Sequence, residues 1–365
     1  LHLPSINVME IKVQKDGIMI DIDGSFGEGG GQIVRTAVAL SAVTGKPVHI
    51  SKIRQGRPKP GLAPQHAHAI LALADICRAK TSGIAPGSSE ISFSPGEIQG
   101  GNYEISIGTA GSTTLLLQCL LPALLRANAP STVSVQGGTD VQWSPTIDYF
   151  CNVFLPSLES FGAEVSLELV KRGYYPQGQG RVVCRIKPSE LQAAHLELLD
   201  PSDAGRDRTK MDIWGLSHCS NLPEHVARRQ SDAAVEALRQ AGFVAKVAKE
   251  VLRLPSTGSG ITLWARSPGV YIGASSLGRR GLPAEMVGKS AAEELIRELI
   301  SSASVDIHLA DQLVPYLALA GGSYSTREMS LHTKTNIWTA SHFLERKISI
   351  SRKDISGKEI MVLGA

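Results

Sequence analysis

The sequence has no apolar run of the roughly 18–20 residues that a membrane-spanning helix requires, and it has no C-x-x-C pair. Its five cysteines, Cys77, Cys119, Cys151, Cys184 and Cys219, are odd in number and scattered. That argues against a disulfide framework or a cysteine-held zinc and predicts reduced thiols in a cytoplasmic setting. Net charge is only +3 over 365 residues. A surface coated in positive charge for bulk nucleic-acid binding is thereby excluded, and a polyanion would need a local patch. Residues 1–17 show no positively charged segment followed by an apolar one, which predicts no secretory signal. The nucleotide-binding loops with fixed spacing are missing too. The glycine string from Gly24 to Gly31 lacks clear G-x-G-x-x-G spacing and its downstream acid. Gly288-Lys289-Ser290 has Pro283 where a P-loop needs its first glycine, and it sits inside a helical pattern.

What is present describes an ordinary folded chain, 42% hydrophobic and 19% charged, and long enough for two domains. Its 36 glycines cluster, which points to sites lined by backbone. Residues 18–23 alternate like a strand, the glycine string follows, and Ile33, Val34, Ala37, Val38 and Leu40 space like a helix that Gly45-Lys46-Pro47 stops. A strand, a glycine loop and a helix in that order present backbone N–H groups to an anion, or else make a tight turn with close helix packing.

The next loop, Arg54-Gln55-Gly56-Arg57-Pro58-Lys59, carries three cations and no carboxylate. Arg54 and Arg57, with Arg35 on the preceding helix, could converge on phosphate oxygens; a solvated basic loop is the alternative. It runs into Gln65-His66 at the start of another helix. The grammar then recurs. A strand at 103–107, a small-residue turn through Gly111, a helix at 115–126 and a strand at 132–135 follow, then a Pro145-initiated helix to Phe161 and strands at 163–169 and 180–186. This predicts an internal repeat of βαβαββ type. After Lys187-Pro188 come a polar stretch at 200–210 and an α/β unit of about a hundred residues, in which 256–260 reads as a flexible turn. Site signals on both sides make this unit an insertion. Short strands at 347–352 and 360–363 would complete a third repeat.

Near the end stands Ser330-Leu331-His332-Thr333-Lys334-Thr335-Asn336. A histidine among short hydroxyl and amide side chains can have one ring nitrogen fixed and the other free to attack an electrophile. Alone, the same stretch also fits a satisfied histidine at a loop–helix junction.

Taken together these stretches resemble the RNA 3'-terminal phosphate cyclases over nearly the whole length. The markers are Gly27-Glu28-Gly29-Gly30-Gly31-Gln32 with Arg35, Arg54-x-Gly56-Arg57-x-Lys59-Pro60-Gly61, Gln65-His66, Gly111-Ser112 with Gln118, Gly137-Gly138-Thr139-Asp140, Leu309-Ala310-Asp311-Gln312 and His332-x-x-Thr335-Asn336. The resemblance implies an α/β (α+β) fold. Its large domain, residues 1–189 and 304–365, would hold three βαβαββ repeats like the C-terminal fold of translation initiation factor 3 or the enolpyruvate transferases, with a smaller α/β domain inserted at 190–303. It implies an ATP-dependent ligase that converts RNA 3'-phosphate ends to 2',3'-cyclic phosphates. His332 would be the nucleophile that carries AMP.

Gln118, Pro145, His308, Leu309, Ala310, Asp311 and Gln312 would line the nucleotide pocket, and Glu28, Arg35, Arg54, Arg57, Gln65 and His66 would surround the phosphates and the RNA end. A divalent ion, Mg or Mn, would be held mainly by ATP with help from Glu28. Family members often carry a tyrosine where His308 stands. The implied partners are ATP and RNA 3'-phosphate ends, with no membrane and with a homodimer as one assembly allowed. Three other functions compete: a cyclase-like binding protein of ribosome assembly, which the presence of His332 disfavours; an enolpyruvate transferase, which needs no adenylated histidine; and a plain binding module, which the near-neutral charge fits poorly.

Overall fold

The computed structural model describes residues 13–14, 17–196, 211–267, 269–355 and 357–365. The segment read for a secretory signal lies largely, and the polar stretch 200–210 wholly, outside the described residues.

A two-residue strand pair, β1 (Val13–Gln14) and β2 (Gly17–Ile18), precedes the first repeat. That repeat runs β3 (Ile20–Asp23), α1 (Gly31–Thr44), β4 (Val48–Ser51), α2 (Pro64–Ile76), β5 (Lys80–Ser82) and β6 (Ile91–Ser94). The second runs β7 (Asn102–Ser106), α3 (Thr113–Leu124), β8 (Ser131–Gly137), a helical stretch, β9 (Glu164–Lys171) and β10 (Gly180–Lys187). The helical stretch comprises α4 (Ile147–Tyr149), a π-helical segment Phe150–Phe154 and α5 (Leu155–Glu159). Thr146, rather than Pro145, caps it; its hydroxyl accepts from Tyr149 N–H.

The third repeat opens with β11 (Ala194–His195) and is interrupted. The interruption holds β12 (Asp212–Ser220), α6 (His225–Gln240), β13 (Ala245–Leu252), β14 (Gly258–Ser267), β15 (Val270–Leu277) and α7 (Ala284–Ser301). The repeat resumes as α8 (Ile307–Gln312), α9 (Val314–Ala320), β16 (Gly322–Thr326), α10 (Leu331–Ser341), β17 (Ser349–Ile355) and β18 (Lys358–Gly364). Gly288-Lys289-Ser290 lies within α7, as its helical pattern predicts.

Each repeat builds one four-stranded sheet with the same pairing: β3-β4-β6-β5, β7-β8-β10-β9 and β11-β16-β18-β17. The first two strands of each are parallel and the others antiparallel. Strands such as β8 and β10 alternate buried and more exposed residues, so the sheets cover their inner faces and meet water on the outer ones. Helices α1, α2, α3, α9 and α10 pack on one another within. One apolar cluster from Ile22 to Leu363 joins all three repeats, and a second, from Ile213 to Leu299, belongs to the insertion. The insertion's sheet, β13-β12-β14-β15, is not isolated: Tyr271 on β15 bridges to Val305, and Val305 bridges to Thr326 at the end of β16.

One sequence expectation fails here. Gly258, Ser259 and Gly260 are not part of a flexible turn but open β14, paired with Ser220, Cys219 and His218. Gly260 is glycine because a Cβ there would press on Leu277 and the His218 ring.

Candidate active site

His332 is the second residue of α10. The Ser330 hydroxyl caps that helix by accepting from Thr333 N–H at 3.0 Å, which fixes the first turn and the imidazole on it. The ring is 48% exposed. Its Nδ1 lies 2.6 Å from Gln32 Oε1, an acceptor, so the ring hydrogen belongs on Nδ1. Nε2 keeps its lone pair and has no protein partner among the described residues. Glu28 Oε2 also approaches Nδ1, at 2.7 Å, but out of line for a hydrogen bond and otherwise buried without a donor. The other Glu28 oxygen accepts from Arg57. The loop that lacks a carboxylate in its own sequence thus receives one from the glycine string.

Around His332 opens a cavity of about 720 Å3, within the usual size of a small-molecule site. Arg35, Arg54, Arg57, Gln65 and His66 line it together with Gln118, Pro145, His308, Asp311 and Gln312. Arg54 sits in left-handed backbone, φ 53°, and donates from Nη1 to Gly61 O at 3.0 Å, which aims the guanidinium. Gln118 Nε2 donates to Gln312 Oε1 at 2.5 Å, and Gln312 Nε2 to His308 O at 2.8 Å.

Two residues of the predicted set stand elsewhere. Leu309 and Ala310 are fully buried in the apolar core, because α8 turns His308, Asp311 and Gln312 toward the cavity and the two apolar residues away from it. Lys59, the third cation of the basic loop, is exposed and outside the cavity lining.

Arg35, Arg54 and Arg57 bring positive charge to the cavity, and Glu28, Glu294 and Asp311 bring carboxyl groups to the same lining. α1 begins at Gly31 with Gly30 as an uncapped N-terminal residue, so its first N–H groups remain available to an anion. Gly31 cannot be larger: a Cβ there would overlap the His66 ring. Burial, with Arg35 and Arg54 adding to it, pushes His66 down to about 3, which leaves it neutral at pH 7. Asp311 is pushed up to about 6 by burial, against the opposing pull of His332, His308 and Arg35.

Several members are invisible to motif spacing. Thr36 Oγ1 donates to Asn336 Oδ1 at 2.8 Å and Asn336 Nδ2 to Asp311 O at 2.9 Å, which ties α1, α8 and α10 into one frame. Asn336 stands in the His332 motif, so that signal was present. The cavity also takes Ala274, Ser275 and Glu294 from the insertion, and Trp143 from the turn before Pro145.

A second polar cluster lies outside the cavity. Arg172 Nη1 reaches Asp140 Oδ2 at 3.1 Å and Asp148 Oδ2 at 2.9 Å, and its Nε reaches Glu250 Oε2 at 2.6 Å. His218 Nδ1 is 2.7 Å from Tyr174 Oη. Asp140, Asp148 and His218 are the one group among the described residues with metal-ligand spacing, but the Arg172 guanidinium already bridges the two carboxylates.

An imidazole with one free nitrogen shares its cavity with three arginines and an uncapped helix N-terminus, groups that suit a phosphate-bearing ligand. The family model for RNA 3'-terminal phosphate cyclase matches residues 26–350. An RNA 3'-terminal phosphate cyclase of Methanosarcina barkeri is 54% identical over 337 residues, which cover 92% of this chain and 98% of that protein. One of Archaeoglobus fulgidus is 49% identical over 92% of this chain and 99% of its own, and one of Pyrococcus furiosus 45% identical over 91% and 95%. The chain belongs to the RNA 3'-terminal phosphate cyclase family, and is therefore an enzyme. The enolpyruvyl transferase NikO from Streptomyces tendae overlaps 45% of this chain and 33% of its own at 14% identity with a TM-score of 0.24, too low to bear on either fold or function. Among the described residues, no helix is long and apolar enough to cross a membrane.

Proposed function

We propose that the enzyme uses ATP to convert RNA 3'-phosphate ends to 2',3'-cyclic phosphates through AMP carried on His332. The observation that carries this reading is the ring geometry: Nδ1 is held by Gln32 with Glu28 behind it, and Nε2 is free in a cavity lined by arginines. Nε2 attacks the α-phosphorus of ATP, and the bond to pyrophosphate breaks. An oxygen of the RNA 3'-phosphate then takes the adenylyl group as the P–N bond breaks and the imidazole is restored. The neighbouring 2'-hydroxyl finally attacks the 3'-phosphorus and expels AMP. Its proton leaves to solvent or to a cavity base, and in-line placement of ribose and phosphate supplies most of the acceleration.

Arg35, Arg54 and Arg57 hold phosphate oxygens in this scheme. His308 and Pro145 flank the adenine, with Gln118 and Gln312 beside it. The residues fit a divalent ion, Mg or Mn, in one respect: Glu28 Oε2 is buried without a hydrogen-bond donor and can serve as one oxygen ligand. Such an ion would offset charge on the triphosphate.

The unpaired state of all five cysteines supports a reducing, cytoplasmic setting. We divide the chain into a catalytic domain of three repeats and an inserted domain. The catalytic domain extends at least to Leu196, past the expected edge at residue 189, because Ala194–His195 pairs with β16 and Leu196 packs in the large core.

The test is incubation with ATP and a 3'-phosphorylated oligonucleotide, followed by analysis of the terminus. A 2',3'-cyclic end formed only with ATP, with AMP and pyrophosphate released, is expected. An unchanged 3'-phosphate would refute the reading.

A further inference from the structure

We propose that Trp143 and Tyr175 are stacking platforms for the bases that precede the 3' end of a bound RNA strand, so that the strand reaches the cavity over the rim of the second repeat. The proposal rests on the functional reading above and adds the path of the polynucleotide to it.

Trp143 is 94% exposed and Tyr175 76%, the two most exposed large apolar side chains among the described residues. An indole standing in water is unusual for a folded protein, and this one is held there. Trp143 has φ 66°, a conformation unfavourable for a bulky side chain. Its shoulders are fixed: the Ser144 hydroxyl donates to Val141 O at 2.9 Å, Thr114 Oγ1 to Pro145 O at 2.8 Å and Ile147 N–H to Thr139 O at 3.0 Å. Such strain persists only where the surroundings over-determine it, and it concentrates at ligand contacts. The place fits that reading, since Trp143 lines the cavity mouth together with Ser144 and Pro145.

Tyr175 lies on the neighbouring loop. Tyr174 bridges to Asp140, three residues before Trp143. Gly178 packs so closely on Thr109 and Ala110 that a Cβ would sit 2.8 Å from the Ala110 Cα. Gly111 in turn abuts Gln65, which lines the cavity. These contacts tie the Tyr175 loop to the turn through Gly111 and so to the cavity wall at Gln65. Every base offers a π-face, so exposed aromatics on rigid loops bind single strands with little regard to sequence. A chain whose net charge is only +3 has little electrostatic attraction to offer a polynucleotide, and stacking supplies what charge does not. Adenine of ATP is the other nucleobase that could meet Trp143, but Pro145 and His308 already provide its walls in the proposed function.

The experiment measures binding of a 5'-labelled, 3'-phosphorylated oligouridylate decamer by fluorescence anisotropy, with uridine 3'-monophosphate as an unlabelled competitor. Trp143→Ala and Tyr175→Ala should each weaken decamer binding roughly tenfold. Trp143→Phe and Tyr175→Phe should recover most of it, and the loss should be larger for the decamer than for the mononucleotide. Thermal melting checks the fold, which exposed side chains do not support. Decamer binding within twofold of wild type in both alanine variants would overturn the track. So would equal losses on mononucleotide and decamer. A loss of AMP labelling from ATP that exceeds the loss of decamer binding would overturn it too, by assigning the indole to adenine. Failure of the wild type itself to bind the decamer would sink the functional reading, and the track with it.

Discussion

The molecule contains two clusters built from the same chemistry, a histidine with carboxylates and arginine, and they behave as opposites. Around Arg172 the groups are sealed. Asp140, Asp148 and His218 are buried, and one guanidinium bridges two carboxylates of the second repeat and Glu250 of the insertion. Around His332 the groups are open, and their bonding capacity is unspent: Nε2 is free, Glu28 Oε2 has no donor, and three arginines face a cavity. Residue type alone does not separate a joint from an active site. Access does: Asp140 Oδ1 and His218 Nε2 in the sealed cluster also lack hydrogen-bond partners, but both residues are buried, whereas the His332 ring is half exposed.

Substitution should break the two clusters in different ways. On the proposed mechanism His332→Ala, at a half-exposed position, should lower label transfer from α-labelled ATP by more than about 10^3-fold. Stability should stay within about 0.5 kcal/mol of wild type. Retained labelling would remove His332 from the chemistry. Arg172→Met should do the reverse. It leaves Asp140 and Asp148 buried without their counter-charge, at a cost of about 3–5 kcal/mol in urea unfolding. A loss under about 1 kcal/mol would mean the sealed cluster behaves like a surface pair.

The cavity arginines come next in size. Arg54→Ala and Arg57→Ala each remove a charged donor that the proposed function assigns to phosphate, worth about 1.5–3 kcal/mol. In kcat/KM for 3'-phosphorylated ends that is a drop of roughly 10- to 100-fold. Normal kinetics in both would show that Arg57 serves only to hold Glu28, and that the cavity's charge is structural like that around Arg172.

The open side of this contrast could be read from the sequence and the sealed side could not, because Arg172, Asp148 and His218 are scattered along the chain and belong to no motif. The βα grammar repeats because each unit needs the same alternation of buried and solvated faces, so two repeats were legible. β11, the first strand of the third, is two residues long and carries no period to detect. His332, Arg54 and Arg57 announced themselves by clustering. Glu28 and Gln32 stood in the glycine string that carries the resemblance, but their pairings with Arg57 and His332 were not legible, since Gln32 lies 300 residues from His332 and Glu28 meets Arg57 across a loop. The contiguous motif at 309–312 divides in the structure, with Leu309 and Ala310 toward the core and Asp311 and Gln312 toward the cavity, because a helix sends neighbours to different faces. Trp143 belongs to no pattern; only its exposure marks it.

The smallest expected effect probes a pair that lies between the two extremes. Glu298 on α7 of the insertion is 1% exposed, and Arg327, which precedes the His332 helix, donates to it from Nη2 at 3.0 Å. Burial, with Asp306 adding repulsion, pushes Glu298 up to about 8 although Arg327 pulls the other way. An unfolded glutamate titrates near 4.5. Between those values the folded state holds a proton that the unfolded state has released, so stability should fall as pH rises through that window. Glu298→Gln copies the protonated form and removes that slope, so its stability should gain roughly 1–2 kcal/mol on wild type between pH 5 and pH 8. Parallel curves would mean that Glu298 is ionised and locked to Arg327, which would place this joint with the sealed cluster. Diverging curves would place it with the open one, where burial has left a carboxyl free to exchange its proton.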